Sequence, residues 1–523
     1  MNTIHNPVLK GFYPDPSILR VDNDYYIATS TFEWFPGVCI QHSRDLEHWE
    51  TLQSPLSDDS ILDLKGIDTS CGIWAPNLTY DHGTFYLLYT IVYTDRHRYK
   101  DTHNFVTTAQ NIEGPWSKPV FLNCSGFDPS LFHDDDGRKW LINMTMDQRT
   151  SKKRFPGIVM QEYDWKSQQV IGEVYSVFQG TEIGTTEGPN LYKHGGFYYL
   201  LCAEGGTEFG HCCTLARSKQ VNGIYEVCPY NPILTSDSSE NCPFQRAGHG
   251  SIVETSNHHW LMAHLCSRPI DNFSILGRET AIQNIEWTAD GWLQITDSHC
   301  KFPKACFDID ISVETIYPAP KMQEDFDSPI IPREFLTLRQ SSESCRITAT
   351  ERKGFIRIYG GNSLPCKYGV GFLARRVQSL TCDCGTLIEF YPKTFHQTAG
   401  LVCYYNGDNY YYLKISKDKE IGRYLSVISM NNQDLSESEW IPLPEKENPI
   451  YLGAQIRGRS LKFTYALNDK DCQPIPLDFD MAVLSDEHVH GNGFTGAMVG
   501  MLCEDLKSKD CYADFDWFQY QER

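Results

Sequence analysis

DPSILRVDNDYYIATS, residues 15–30, returns in the same form four more times. The copies are APNLTYDHGTFYLLYT from Ala75, DPSLFHDDDGRKWLINM from Asp128, GPNLYKHGGFYYLLCAE from Gly188 and HGSIVETSNHHWLMAHL from His249. Each has a small or proline-bearing start, then Ser or Asn, a short strand, a polar turn and an aromatic-rich alternating strand. The starts at Asp15, Ala75, Asp128, Gly188 and His249 are separated by 60, 53, 60 and 61 residues. A strand-turn-strand unit repeating at about 50 to 60 residues is the pattern of a β-propeller with one four-stranded blade per repeat. Five repeats predict five blades. The turn centres Asp22-Asn23-Asp24, Asp81-His82-Gly83 and His194-Gly195-Gly196 supply residues that tolerate tight or left-handed backbone. Asp134-Asp135-Asp136-Gly137 reads the same way, because the full spacing of a calcium-binding loop is missing.

The repeats account for residues 1–312. A proline-rich stretch, ETIYPAPK at 314–321, marks a linker over 313–323. From EDFDSP at 324–329 strands resume with another period: TLIEFYP, AGLVCYYNGDNYYYLKIS, RYLSVIS and LGAQIRGRSLKFTYAL alternate around turns at Asn406-Gly407 and Arg457-Gly458. This predicts an antiparallel β-sandwich over 324–523. The closing ADFDWFQYQ echoes EDFD and predicts that both ends of this domain lie side by side. The whole chain therefore reads as all-β.

With 523 residues the chain exceeds one growing core, and 13% aromatic content suits both strands and sugar rings. A net charge of −21, with no basic run longer than Lys152-Lys153-Arg154, excludes a phosphate backbone as partner over most of the surface. No apolar run is long enough to span a membrane, and MNTIHNPVLKGFYPDPS lacks a basic region followed by an apolar one, so the expectation is a cytoplasmic protein. The 19 cysteines are odd in number and scattered, and neither Cys212-Cys213 nor Cys382/Cys384 has zinc-site spacing, so buried thiols are expected.

In a propeller the first strand of each blade lines the central channel, and equivalent positions near its start converge on the axis. Those positions hold Asp15, Trp74 with Ala75, Asp128, Glu187 with Gly188, and His249. An aspartate before a strand is commonly a turn former that bonds its own backbone. Three acids at one blade position predict more. Crowded in a pocket, their pKa values must separate, so that one carboxylate activates water while another, protonated, donates to a leaving oxygen. That division is the chemistry of glycoside hydrolysis. Glu187 stands one residue before the Asp15 equivalent and needs a different backbone course to reach the axis. Phe32, Trp34, Phe35 and Trp74 offer flat faces to a pyranose, and Arg278 suits sugar hydroxyls or a carboxylate. Phe32 and Trp74 equally fit core aromatics, and His249 equally fits a structural role in the channel.

In order and context, NPVLKGFYPDPSI, YYIATSTFEWFPGV, HSRDLEHW, GIWAPNL, GFDPSLF, TEGPNLY, AEGGTEFGH and LGRETAIQ resemble the family 43 glycoside hydrolases, in their β-xylosidase branch. The resemblance implies Asp15 as general base, Glu187 as general acid and Asp128 as the residue that tunes and orients the acid, in an inverting reaction. It implies Phe32, Trp74, Thr207, His249 and Arg278 as contacts of the terminal sugar, and a lectin-like C-terminal domain whose loop, with Phe494, narrows the pocket. It also implies an exo-acting β-D-xylosidase on xylo-oligosaccharides, with no required cofactor, a calcium ion in some relatives near the His249 position, and dimers or tetramers. α-L-Arabinofuranosidase activity, alone or as a second activity, fits the same pocket; a noncatalytic sugar-binding propeller is the rival from another class.

Overall fold

The computed structural model describes residues 2–237, 239, 242–296, 301–311, 317, 321–445, 449–467 and 471–523. Among them the chain is all-β, with a single 3₁₀ turn at Met481–Leu484 and no helix long and apolar enough to cross a membrane. Five antiparallel sheets follow one another in chain order. They begin at Ser17–Val21, Gly72–Asp81, Ser130–His133, Glu187–His194 and Gln245–Glu254, and each runs from its first strand outward. These are the five predicted blades. The ribbon formed by Asn2–His5 and Cys306–Ile309 packs Ile4 and Ile309 into the core between the first and last blades. Asp134–Gly137 forms a hairpin turn, with the Gly137 N–H on the Asp134 carbonyl.

The Ser/Asn of the repeat has a physical reason. Ser17 Oγ accepts the Leu78 N–H of the second blade, Asn77 Oδ1 accepts the Leu131 N–H of the third, and Ser251 Oγ accepts the Ile18 N–H of the first. The side chain of one blade thus satisfies a backbone donor of the next blade's inner strand, which neither sheet could satisfy alone. The repeat starts share a second feature: Asp15, Ala75, Asp128, Gly188 and His249 all have positive φ, 56°, 33°, 55°, 56° and 49°. Four of the five are not glycine, an uncommon backbone that persists only where the surroundings determine it.

The C-terminal domain is a sandwich of two sheets. Its ends do meet, Gln323–Glu324 pairing with Phe518 and Gln519. The hairpins turn at Asn406-Gly407 and Arg457-Gly458 as expected. The predicted linker falls largely on residues outside the described ones; Tyr317 within it stacks on His48, ring centroids 5.2 Å apart. The two domains share a core. Trp34–Phe35, inside the first repeat, leaves its blade and pairs with Leu336–Leu338 as an outer strand of the sandwich. The Trp34 ring packs against Phe372 and Tyr404. Trp34 and Phe35, expected to face a sugar, are instead buried between domains at 0% and 3% exposure. Alternating aromatic residues do not distinguish a wall facing ligand from one facing another domain. The four close-paired cysteines, Cys212, Cys213, Cys382 and Cys384, are free and buried.

Candidate active site

The channel mouth opens into a cavity of about 490 Å³ lined by Asp15, Phe32, Trp74, Asp128, Glu187, Thr207, His249, Arg278 and Phe494. Nine of the residues singled out in the sequence therefore meet in one place, while Trp34 and Phe35 lie outside it. The offset of Glu187 is resolved by its neighbour. Gly188 occupies the blade-start position with left-handed backbone, and a Cβ there would stand 3.0 Å from the His249 ring. Its N–H donates to Asp128 Oδ2 at 2.9 Å, which ties the aspartate of one blade to the backbone beside the glutamate of the next.

The three acids have different surroundings. Asp15 Oδ1 receives Arg278 Nη1 at 2.9 Å and Oδ2 receives the Ser30 hydroxyl at 2.7 Å, with His249 Nδ1 3.6 Å from Oδ1. Burial pushes Asp15 up, but the Arg278 charge, His249 and the Ser30 hydrogen bond outweigh it and hold the carboxyl below its ordinary range. Glu187 is raised to about 7 by burial, with Lys100 opposing and the Asp15 charge adding. Asp128 is raised well above its ordinary range, by burial first and then by the neighbouring charges of Glu187 and Asp15. Near neutral pH the cavity thus holds Asp15 ionised, Asp128 protonated and Glu187 in mid-titration, and a shared site titrates as a set. Such a set can take a proton at one end and supply one at the other.

The aromatic wall is continuous. Phe32 lies 5.8 Å from Trp74 and 6.2 Å from Phe494, and Phe494 meets Trp74 edge-on at 5.4 Å. Phe494 rides on a loop of the sandwich held by the propeller: its N–H donates to Ser70 Oγ and its carbonyl accepts Arg278 Nη2. Beside it a Cβ at Gly277 would lie 2.1 Å from the Thr495 carbonyl oxygen, so this close approach requires glycine. Arg246 anchors the other end of the loop on Glu487 at 2.5 Å. Arg278 therefore serves two elements, the Asp15 carboxylate and the lid loop.

Residues 4–293 match the family model for glycosyl hydrolases family 43, and residues 323–521 match the model for the beta xylosidase C-terminal concanavalin A-like domain. The chain belongs to glycosyl hydrolases family 43. This family 43 hydrolase is 44% identical to a beta-xylosidase of Bacillus subtilis (99% of this chain, 100% of the relative). It is 43% identical to xylosidase/arabinosidase 43B of Humicola insolens (100% and 98%). Among solved structures, a xylan beta-1,4-xylosidase from Bacillus halodurans superposes with a TM-score of 0.96 at 46% identity, over 99% of this chain and 100% of that one.

The side chains around His249 do not compose a calcium site. His249 is buried against Asp15, whose oxygens are taken by Arg278 and Ser30, and no group of three or more His, Cys, Asp or Glu among the described residues forms a cation site.

Other lining residues escaped the sequence reading: Asp95, His97, Lys100, Phe127, Arg154, His211 and Asn492 among them. Lys100 Nζ pairs with Asp95 Oδ2 at 3.0 Å and lies 4.1 Å from the centre of the Trp74 ring. Both come from the hairpin between Thr84–Arg96 and Tyr99–Ala109, whose tip TDRHRYKD has the composition of a solvated turn. Phe127 was signalled by its place directly before Asp128. His211, in AEGGTEFGH, is kept neutral by burial, which pushes it down to about 3.

Proposed function

We propose that this family 43 hydrolase is an exo-acting, inverting β-D-xylosidase that removes xylose from the non-reducing end of xylo-oligosaccharides. The observation that carries the reading is the split among the carboxyls: Asp15 held ionised by Arg278, Glu187 held protonated to about pH 7. Asp15 takes a proton from water as its oxygen attacks the anomeric carbon. The glycosidic C–O bond breaks on the opposite face, and Glu187 gives its proton to the departing oxygen. Asp128, which accepts the Gly188 N–H, fixes the backbone beside the acid and so orients it. Phe32, Trp74, Thr207, His249 and Arg278 then surround the terminal sugar, and Phe494 ends the cup, which favours chain ends over internal bonds. The names of the relatives support the substrate class. The expected dimer or tetramer rests on the family resemblance and is checked by light scattering.

Asp15→Ala and Glu187→Ala should each lower xylobiose turnover by roughly 10²–10⁴-fold or more with the fold intact, and near-normal turnover in either would refute the assignment. Proton NMR of the first product should show α-xylose; β-xylose would mean retention. The name xylosidase/arabinosidase carried by the Humicola relative supports a second reading, in which the same cup takes an α-L-arabinofuranoside. Comparing the two nitrophenyl glycosides ranks them, and a dominant arabinoside rate would place the arabinofuranosidase first.

A further inference from the structure

The cavity has two chemically different ends. Asp15 lies with Arg278 and His249 at one. At the other, Lys100 and Arg154 line the cavity around a single carboxylate, Asp95. Lys100 is the leading cation acting on Glu187, and Arg154 also acts on it. A leaving group protonated by Glu187 and pointing away from Asp15 would meet Lys100, Arg154 and Asp95, which line the same cavity.

That end carries surplus positive charge. Asp95 is already engaged by Lys100 at 3.0 Å and by the Asn492 amide at 2.8 Å, while Arg154 Nη2 reaches it only at 3.5 Å. The Arg154 side chain lines the cavity and is 33% exposed. Arg154 also ends Lys152-Lys153-Arg154, the longest basic run in a chain of net charge −21, and Lys152 and Lys153 are exposed beside it. Arg98 adds a further cation to this lip, its Nη2 donating to the Asp147 and Lys152 carbonyls. Asp147, the nearby acid, is taken by Arg149. Lysine and arginine gathered at one mouth of an otherwise acidic protein make a local positive field, and a partly exposed guanidinium is suited to a carboxylate ligand.

We propose that the leaving-group subsite accepts a sugar acid, Arg154 binding its carboxylate, so that the enzyme releases xylose from xylosides of acidic sugars as well as from neutral oligosaccharides. The inference rests on the assignment of Glu187 as acid and Asp15 as base. The reaction is the same hydrolysis, with the proton of Glu187 going to the hydroxyl of the acidic sugar.

The test compares xylobionate with xylobiitol, both open-chain at the leaving unit and differing in charge, with xylobiose as reference. In wild type at low salt kcat/KM for xylobionate should exceed that for xylobiitol by roughly five- to tenfold, the scale of one partly exposed charge-assisted hydrogen bond. The ratio should fall toward one in Arg154→Met and in about 0.5 M NaCl, where exposed charges are screened, and Arg154→Lys should keep part of it. The salt series needs no variant and stands even if one misfolds. A wild-type ratio at or below one, or an unchanged ratio in an Arg154→Met enzyme that still cleaves xylobiose, overturns the inference alone. A wild type that cleaves no xylobiose overturns the hydrolase reading and this inference with it.

Discussion

At the scale of single residues, the division of labour among the carboxyls comes from their contacts. Asp15 and Asp128 share the tripeptide Asp-Pro-Ser and the same left-handed backbone, yet one faces a guanidinium and the other faces the backbone N–H of Gly188 and the charge of Glu187. On the proposed assignment, activity requires Glu187 protonated and Asp15 ionised. The rate should therefore fall as pH rises through about 7, and fall on the acid side only below the ordinary carboxylate range. In Glu187→Gln the alkaline limb should vanish from the pH profile. The loss should be larger on xylobiose than on a nitrophenyl xyloside, whose leaving group needs little proton transfer. An alkaline limb that persists in this variant would assign that titration to another group. The sequence made the acids legible because Asp15 and Asp128 sit at repeat starts and Glu187 directly precedes one, in the motif TEGPNLY. Their protonation states were not legible, because Arg278 and Lys100 come from other parts of the chain.

At the scale of elements, the segment Phe32–Phe35 divides its residues between two environments. Phe32 faces the cavity, while Trp34 and Phe35 form a strand of the other domain. Between them Glu33 is fully buried, accepting the Ser70 N–H at 3.0 Å with Oε1 unpaired. Burial raises its pKa to about 7, with Arg339 opposing. For an acid raised in the folded state, the unfolded chain releases its proton first, so stability falls as pH rises from about 4.5 to about 7 and the penalty stays above that. Glu33→Gln keeps an acceptor for Ser70 and removes the charge. It should raise stability by roughly 1–3 kcal/mol at pH 8 and by much less at pH 4.5; equal changes in melting temperature at both pH values would show that Glu33 is not the titrating group. Strand periodicity read this segment as aromatic and half-buried, but it cannot say which partner does the burying.

At the scale of the whole molecule, the propeller and sandwich form one body. Phe12, Tyr13, Trp34 and Phe35 of the propeller are buried, with Arg376 over the Phe12 and Tyr13 rings and the sandwich's Phe372 and Tyr404 against Trp34. Exposing large side chains of this kind costs about 1.5–3 kcal/mol each, and four together approach the whole stability of a typical domain. The propeller alone, residues 1–312, should therefore aggregate or remain unfolded, and should lack Asn492 and Phe494 at its cavity. A soluble, active truncation, tested by size-exclusion chromatography and xyloside turnover, would show that the shared core is dispensable.

Five blades, a sandwich and the convergence of Asp15 and Asp128 were determined by the sequence alone, because propeller geometry maps a repeated position onto one axis; Glu187, one residue off that position, was indicated by the resemblance of TEGPNLY to the family motif. Tertiary structure alone decided which acid stays ionised, where Trp34 and Phe35 are buried, and that Lys100 and Arg154 line the cavity. These depend on the approach of residues far apart in the chain, and a one-dimensional pattern records which groups a strand presents but not which charge or domain meets them.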